Sequence, residues 1–252
     1  MHRIETFKQH IIEKRAVKVC TGIDNFDIEK ISKIINSAQL AGASAIDICA
    51  NEEIITNARQ LTDLPLIVSS INPTELAKAI ELGADGIEIG NFETFYKKGI
   101  YFSANEILSI VKQTLSLLNG EKPFFTVTIP CEISISEQIS LAQKLEYLGI
   151  DLIQTEGRLT SKENFEGVRG LLARAEQSLA NTIELSHNID APIMTSSGIN
   201  ATTAPLAFSA GASAISIGSC VNKLNSEISM IATIKSIVEI AHKNKQDVLE
   251  LV

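Results

Sequence analysis

A short apolar motif returns four times along the chain: AGASAIDI (41–48), LGADGIEI (82–89), LGIDLIQT (148–155) and AGASAISI (210–217). Each copy follows a segment whose apolar residues have helical spacing. Each places glycine where a helix ends in the left-handed conformation, then runs into a β-rich stretch. Four such helix-to-strand junctions imply a repeated architecture. Four further strand candidates lie between them, each bounded by turn residues: AVKVC (16–20), LIVSS (66–70), FFTVTI (124–129) and PIMTS (192–196). Helical spacing fills the gaps, as in Ile28, Ile31, Ile34, Ile35 and Ala38, or Leu76, Ala79 and Ile80 behind an Asn72-Pro73 start. Strand and helix therefore alternate eight times. That order predicts an α/β fold, a (β/α)8 TIM barrel of parallel strands forming a single domain over 1–252, with an opening helix over 3–14 capping its N-terminal end.

The repeat also says which side chains enter the barrel. Five residues after each repeat glycine stand Asp47, Glu88, Gln154 and Ser216, flanked by Ile46, Ile48, Ile87, Ile89, Ile153, Ile215 and Ile217. Residues facing the helices must be apolar, so the polar member of each alternation points inward. Aliphatic side chains usually fill such a layer, and two acids, an amide and a hydroxyl indicate chemistry or binding instead. Two positions further, Cys49, Gly90, Glu156 and Gly218 are expected at the rim. By the same alternation Lys18, Cys20, Thr126 and Thr128 point inward from the odd strands. Lys18 would act as a Schiff-base amine or general base if desolvation lowers its pKa, with Asp47 and Glu88 moving protons. The plainer reading makes the three a structural ion pair. Gln154 and Glu156 are expected to contact the ligand, or else to satisfy interior hydrogen bonds.

TSSGIN (195–200) follows the seventh strand and SIGSCVN (216–222) the eighth. In this architecture a phosphate commonly sits between these two loops, where small residues let backbone N–H groups approach its oxygens. Ser197, Gly198, Gly218 and Ser219 are the candidate phosphate ligands; alternatively the glycines serve only tight turns. The segment 91–103 carries Phe92, Phe95, Tyr96, Tyr101 and Phe102 just beyond the fourth strand. It reads as a lid over the mouth, with Lys97 and Lys98 available to an anion, or as a plug or homo-oligomer interface.

Composition narrows the partners. A formal charge of −8 and no basic cluster longer than a pair remove the electrostatic basis for nucleic-acid or anionic-membrane binding. No apolar run approaches the length of a membrane span. The first residues, MHRIETFKQHIIEKR, carry acids and no apolar core, unlike a signal or transit peptide. Cys20, Cys49, Cys131 and Cys220 are too widely spaced for a disulfide framework or a zinc pattern, so no metal is expected and a reducing compartment fits. The excess of Ile (37) over Val (10) points to an AT-rich coding genome, organellar or bacterial.

GIDNFD (22–27), DICA (47–50), EIGNF (88–92), FYKKG (95–99), FSANE (102–106), QTEG (154–157), APIMTSSG (191–198) and AGASAISIGSCVNKLN (210–225) together resemble the hypothetical chloroplast reading-frame family of algal plastids and cyanobacteria. The resemblance runs over nearly the whole chain. It implies an aldolase-like TIM barrel in a plastid stroma (chloroplast) or cyanobacterial cytoplasm, and it carries over no activity and no catalytic residue. Relatives often have His at the position of Cys131 and a glycine at that of Arg158. Three functions fit the residues: a lyase- or isomerase-type enzyme on a small phosphorylated metabolite, a flavin mononucleotide-binding barrel, or a non-catalytic phospholigand sensor or assembly partner.

Overall fold

The structure is a computed structural model and describes residues 3–158 and 166–250, the side chains of 244–250 excepted. Eight parallel strands close on themselves in chain order, β1 (Ala16–Cys20), β2 (Ala45–Cys49), β3 (Leu66–Ser69), β4 (Gly86–Ile89), β5 (Phe124–Ile129), β6 (Leu152–Thr155), β7 (Ile193–Thr195) and β8 (Ala214–Ile217). Helices α1 (Arg3–Ile12), α2 (Ile28–Leu40), α3 (Glu52–Leu61) and α4 (Pro73–Glu81) belong to the first half. The one-turn α5 (Glu93–Tyr96), then α6 (Ala104–Leu117), α7 (Ile135–Tyr147), α8 (Gly167–Ser186), α9 (Ala204–Ser209), the one-turn α10 (Ser219–Asn222) and α11 (Glu227–Glu250) complete the order. This is the TIM barrel that the alternating pattern predicts.

The fourfold repeat has a physical origin. Its glycines Gly42, Gly83, Gly149 and Gly211 all have φ between 78° and 105°, reversing the chain out of the helix. Two residues later the chain clips onto the preceding strand. Ser44, Asp85, Asp151 and Ser213 donate their N–H to the carbonyls of Val17, Leu66, Phe125 and Ile193 at 2.8–3.0 Å. The side chains of Ser44, Asp85 and Asp151 accept the N–H of Val17, Leu66 and Phe125. Each junction thus fixes the register of one strand on its neighbour before the apolar alternation begins.

Starts of helices follow their sequence caps. Asp27 accepts from Lys30 N, Asn72 precedes Pro73 and accepts from Thr74 N, and capping boxes join Ser103 to Glu106 and Ser134 to Glu137. Outward strand residues pack against the helical ring in two large apolar clusters. A third cluster fills the lower barrel, where Ile4, Phe7 and Ile11 of α1 meet Ala16, Ala45, Ile67, Phe124, Leu152, Met194 and Ala214. Phe7 meets Phe124 edge-on at 5.3 Å. Helix α1 thus plugs the N-terminal end with aliphatic and aromatic volume, so polar chemistry is confined to the other end.

Candidate functional site

Above the apolar plug the interior turns polar within one layer. Lys18 (β1), Asp47 (β2), Ser69 (β3), Glu88 (β4), Thr128 (β5) and Gln154 (β6) form one connected network, all at most 2% exposed. The Lys18 ammonium donates to Glu88 Oε2 and, at 3.2 Å, to Gln154 Oε1; Asp47 Oδ2 lies 3.5 Å away. Gln154 Nε2 donates to Glu88 Oε1 (2.9 Å) and to Thr128 Oγ1 (2.8 Å). Asp47 receives the Ser69 hydroxyl at 2.6 Å and the Asn91 amide at 3.3 Å. Sequence alternation placed Lys18, Asp47, Glu88 and Gln154 inside; Ser69 and Asn91 complete the network and were not singled out. Asn91 sits at φ 62°, a left-handed position that a non-glycine residue adopts at a cost.

One cation faces two acids here. Burial alone would lower the Lys18 pKa, but Glu88 and Asp47 outweigh it and raise the ammonium above its ordinary value. Burial pushes Glu88 up, and Lys18 offsets this only in part. The condition for a neutral amine at Lys18, a net lowering by desolvation, is therefore not met.

Over this network opens a cavity of about 320 Å³ at the C-terminal mouth. Cys20, Gln154 and Ser216 form its floor, while Lys18, Asp47 and Glu88 lie one side chain beneath it. Ser197, Gly198, Gly218 and Ser219 line one side together, as the loop reading requires. Ser197 and Gly198 have φ of 66° and 75°. A β-carbon on Gly198 would fall 2.4 Å from the Arg174 carbonyl oxygen, so glycine lets this loop press against α8. Asn200 Nδ2 and Thr203 Oγ1 donate to the Gly198 carbonyl at 3.0 and 2.9 Å, and Ser178 Oγ to the Ser197 carbonyl at 3.1 Å. The same wall carries Arg174 from α8 and Lys223 just past α10, two exposed cations the loop motifs did not announce.

Glu156 closes the opposite side, 3% exposed, and accepts the Tyr96 hydroxyl at 2.5 Å. Burial pushes its carboxyl up to about 8 against the Tyr96 hydroxyl and the N–H groups of Cys131 and Phe92, all of which favour the charged form. The aromatic segment turns its rings away from the cavity. Phe92 packs on Phe102 at 4.9 Å, Tyr96 stacks on Tyr101 at 5.6 Å, and the Arg158 guanidinium covers Tyr101 while pairing with Glu132 at 3.1 Å. It is Asn91, Glu93, Thr94 and Lys97 of that segment that reach the cavity, with Lys97 paired to Glu93 at 2.9 Å. Among the thiols, Cys49 turns to the Asn25 carbonyl (3.0 Å), away from the cavity wall, and burial pushes Cys131 up to about 12. Among the described residues, no three His, Cys, Asp or Glu side chains are grouped as a metal site, and no helix is long and apolar enough to cross a membrane.

The family described as "Protein of unknown function (DUF561)" matches residues 3–247. The chain belongs to that family. A relative called "Uncharacterized protein ycf23", from Pyropia yezoensis, is 37% identical over 239 residues, which is 94% of this chain and 87% of the relative. Such relatives come from algae and carry the designation of a plastid reading frame, so the family has a plastid origin there. Among solved structures, (S)-3-O-geranylgeranylglyceryl phosphate synthase from Thermoplasma acidophilum, in complex with sn-glycerol-1-phosphate, superimposes with a TM-score of 0.65. It is 15% identical, covering 96% of this chain and 99% of its own. A 3-hexulose-6-phosphate synthase gives 0.62 at 16% identity, covering 89% and 98%. At these identities the likeness is one of fold.

Proposed function

We propose that this DUF561 member is a lyase- or isomerase-type enzyme that binds a small phosphorylated metabolite at the barrel mouth and moves a proton on it. The observation that carries the reading is convergence. The loops after β7 and β8, and the cations Arg174 and Lys223, share one cavity whose floor rests on a buried acid-base cluster. Ser197, Gly198, Gly218 and Ser219 would hold the phosphate, with Arg174 and Lys223 neutralising it. Both structural neighbours named above carry a phosphorylated compound in their names, which supports the phosphate without naming the reaction.

Gln154 and Glu156 would meet the organic part of the ligand. Lys18, kept as an ammonium by its carboxylates, suits stabilisation of negative charge developing above the floor better than imine formation. Turning the Gln154 amide aside would bring Lys18 and Glu88 into reach, with Asp47 as the proton acceptor held by Ser69 and Asn91. A flavin mononucleotide would use the same phosphate loops, but the rings of segment 91–103 are absent from the cavity wall and would not cover its ring system. The plastid stroma, or the cytoplasm of a cyanobacterium, is the proposed place of work.

The experiment is to denature the native protein and examine released small molecules by absorbance and mass spectrometry, with thermal shift against phosphate esters alongside. A phosphorylated metabolite, or stabilisation by such esters, is the expected result. A released flavin would replace the reading, and an empty cavity without any thermal shift would overturn the phosphate site. Once a substrate is in hand, unchanged turnover by Lys18→Ala would remove Lys18 from the chemistry.

A further inference from the structure

Helix α8 buries an unusual face. Where α2 turns Ile31, Ile34, Ile35 and Ala38 inward, α8 turns Gly170, Ala175, Ser178, Thr182 and Leu185. Its hydroxyls tie it to two strands: Thr182 Oγ1 lies 2.8 Å from Thr155 Oγ1 on β6 and 2.7 Å from Thr195 Oγ1 on β7. Small groups bring the helix close, since a β-carbon on Gly157 would stand 3.3 Å from Ser178 N. One turn nearer the mouth, the Ser178 hydroxyl shares its hydrogen between the Ala175 carbonyl of its own helix (3.0 Å) and the Ser197 carbonyl of the loop after β7 (3.1 Å). Buried networks with every member bonded specify a single arrangement of the elements they join.

What Ser178 holds is the part of the loop that borders the cavity. Ser197 adopts a φ of 66°, which a non-glycine residue keeps only where its surroundings enforce it. Its carbonyl is drawn to α8 by Ser178, and the carbonyl of Gly198 is drawn back by Asn200 Nδ2 (3.0 Å) and Thr203 Oγ1 (2.9 Å). Across a planar trans peptide the N–H points opposite to the carbonyl before it. The N–H groups of Gly198 and Ile199 are therefore turned away from those partners, and among the described residues neither has an acceptor. The N–H groups on either side do: Ser196 donates to the Thr155 carbonyl and Asn200 to the Thr203 hydroxyl, both at 3.0 Å. Gly198 has no side chain, so what it shows to the cavity is main chain, and Ile199 on the same wall sends its side chain into the apolar cluster. Two successive N–H groups left free on a concave wall form a nest for an anion.

We propose that Ser178 is the positioning residue of the phosphate loop: by holding the Ser197 carbonyl against α8 it presents the Gly198 and Ile199 N–H groups to the ligand's phosphate, so that the docking of α8 sets the affinity for that phosphate. The same helix carries Arg174 into the cavity one turn before Ser178, so loop shape and countercharge come from one element. The inference rests on the phosphate reading above and assigns its main-chain donors and the side chain that aims them.

The test is calorimetric titration of the native protein with inorganic phosphate and ethyl phosphate, repeated on Ser178→Ala and on Thr182→Val. The second variant removes a hydroxyl from the same buried seam but none that touches the loop. Ser178→Ala is expected to weaken both phosphates about tenfold, the scale of one lost hydrogen bond. Thr182→Val should lower the unfolding temperature yet leave both affinities within about twofold. Unchanged affinity in Ser178→Ala, or equal losses in the two variants, would make Ser178 a stabilising residue only and overturn the inference. Amide NMR of the native protein needs no variant to fold: inorganic phosphate should shift the Gly198 and Ile199 N–H resonances most, and binding that leaves both unmoved would also overturn it. Failure of the native protein to bind either phosphate would sink the phosphate reading itself, and the inference with it.

Discussion

Lys18 shows how much a single buried side chain carries. Its ammonium is 1% exposed and is the common partner of Glu88, Asp47 and Gln154. Removing one partner from a buried ionic cluster leaves the others desolvated and uncompensated, which costs more than the cluster contributes. Lys18→Met is expected to lower stability by about 3–5 kcal/mol, read from urea unfolding. Adding Glu88→Gln should return part of the loss, since it removes a charge that Lys18 no longer balances; strict additivity of the two would show that they do not interact. The inward direction of Lys18, Asp47, Glu88 and Gln154 was legible because isoleucines stand on both sides of Asp47 and Glu88, Ile153 precedes Gln154, and valines flank Lys18. The fate of the lysine was not. Its protonation depends on the balance between burial and two acids whose distances only the closed barrel supplies.

At the scale of elements, the repeat marked the even strands because each copy performs the same mechanical task, ending a helix and clipping a strand to its predecessor. Local chemistry of that kind is written in adjacent residues. Arg174 reaches the cavity from α8, outside the loop motifs, while Asn222 is the last residue of SIGSCVN and Lys223 follows it. No periodicity marks them, because their role is set by where α8 and α10 dock. Gly198 makes the docking testable. Gly198→Ala must fit a β-carbon against the Arg174 carbonyl as well as hold a left-handed φ. Gly42→Ala, with open space around it and φ of 78°, faces only the second demand. Thermal shift should show Gly42→Ala costing about 1–2 kcal/mol with phosphate binding kept, and Gly198→Ala costing more and losing phosphate binding. Loss of binding in both would mean that global destabilisation, and not the loop, is responsible.

The whole molecule carries its buried acids as a pH dependence of folding. Glu156 binds its proton up to about pH 8 in the folded barrel, against an ordinary value of 4.5. Between those values the folded state holds more protons than the unfolded chain, so the contribution of Glu156 to stability is full below about pH 4.5 and is lost as pH rises toward 8. Glu88, raised as well, acts in the same sense. Glu106 and Glu137, lowered by their capping boxes, act oppositely and only below 4.5. Urea midpoints should therefore drop from pH 5 to pH 8, at up to about 1.4 kcal/mol per pH unit from Glu156. Glu156→Gln should flatten the slope; an unaltered slope would place the dependence elsewhere.

The apolar plug formed by α1 also makes the barrel a blind well. Phe7 and its neighbours seal the bottom, so the hydrogens of the Lys18 ammonium can trade places with those of water only by way of the mouth. Whatever occupies the mouth is then a stopper. In heavy water, the rate at which deuterium reaches that one lysine becomes a clock for how long the ligand stays.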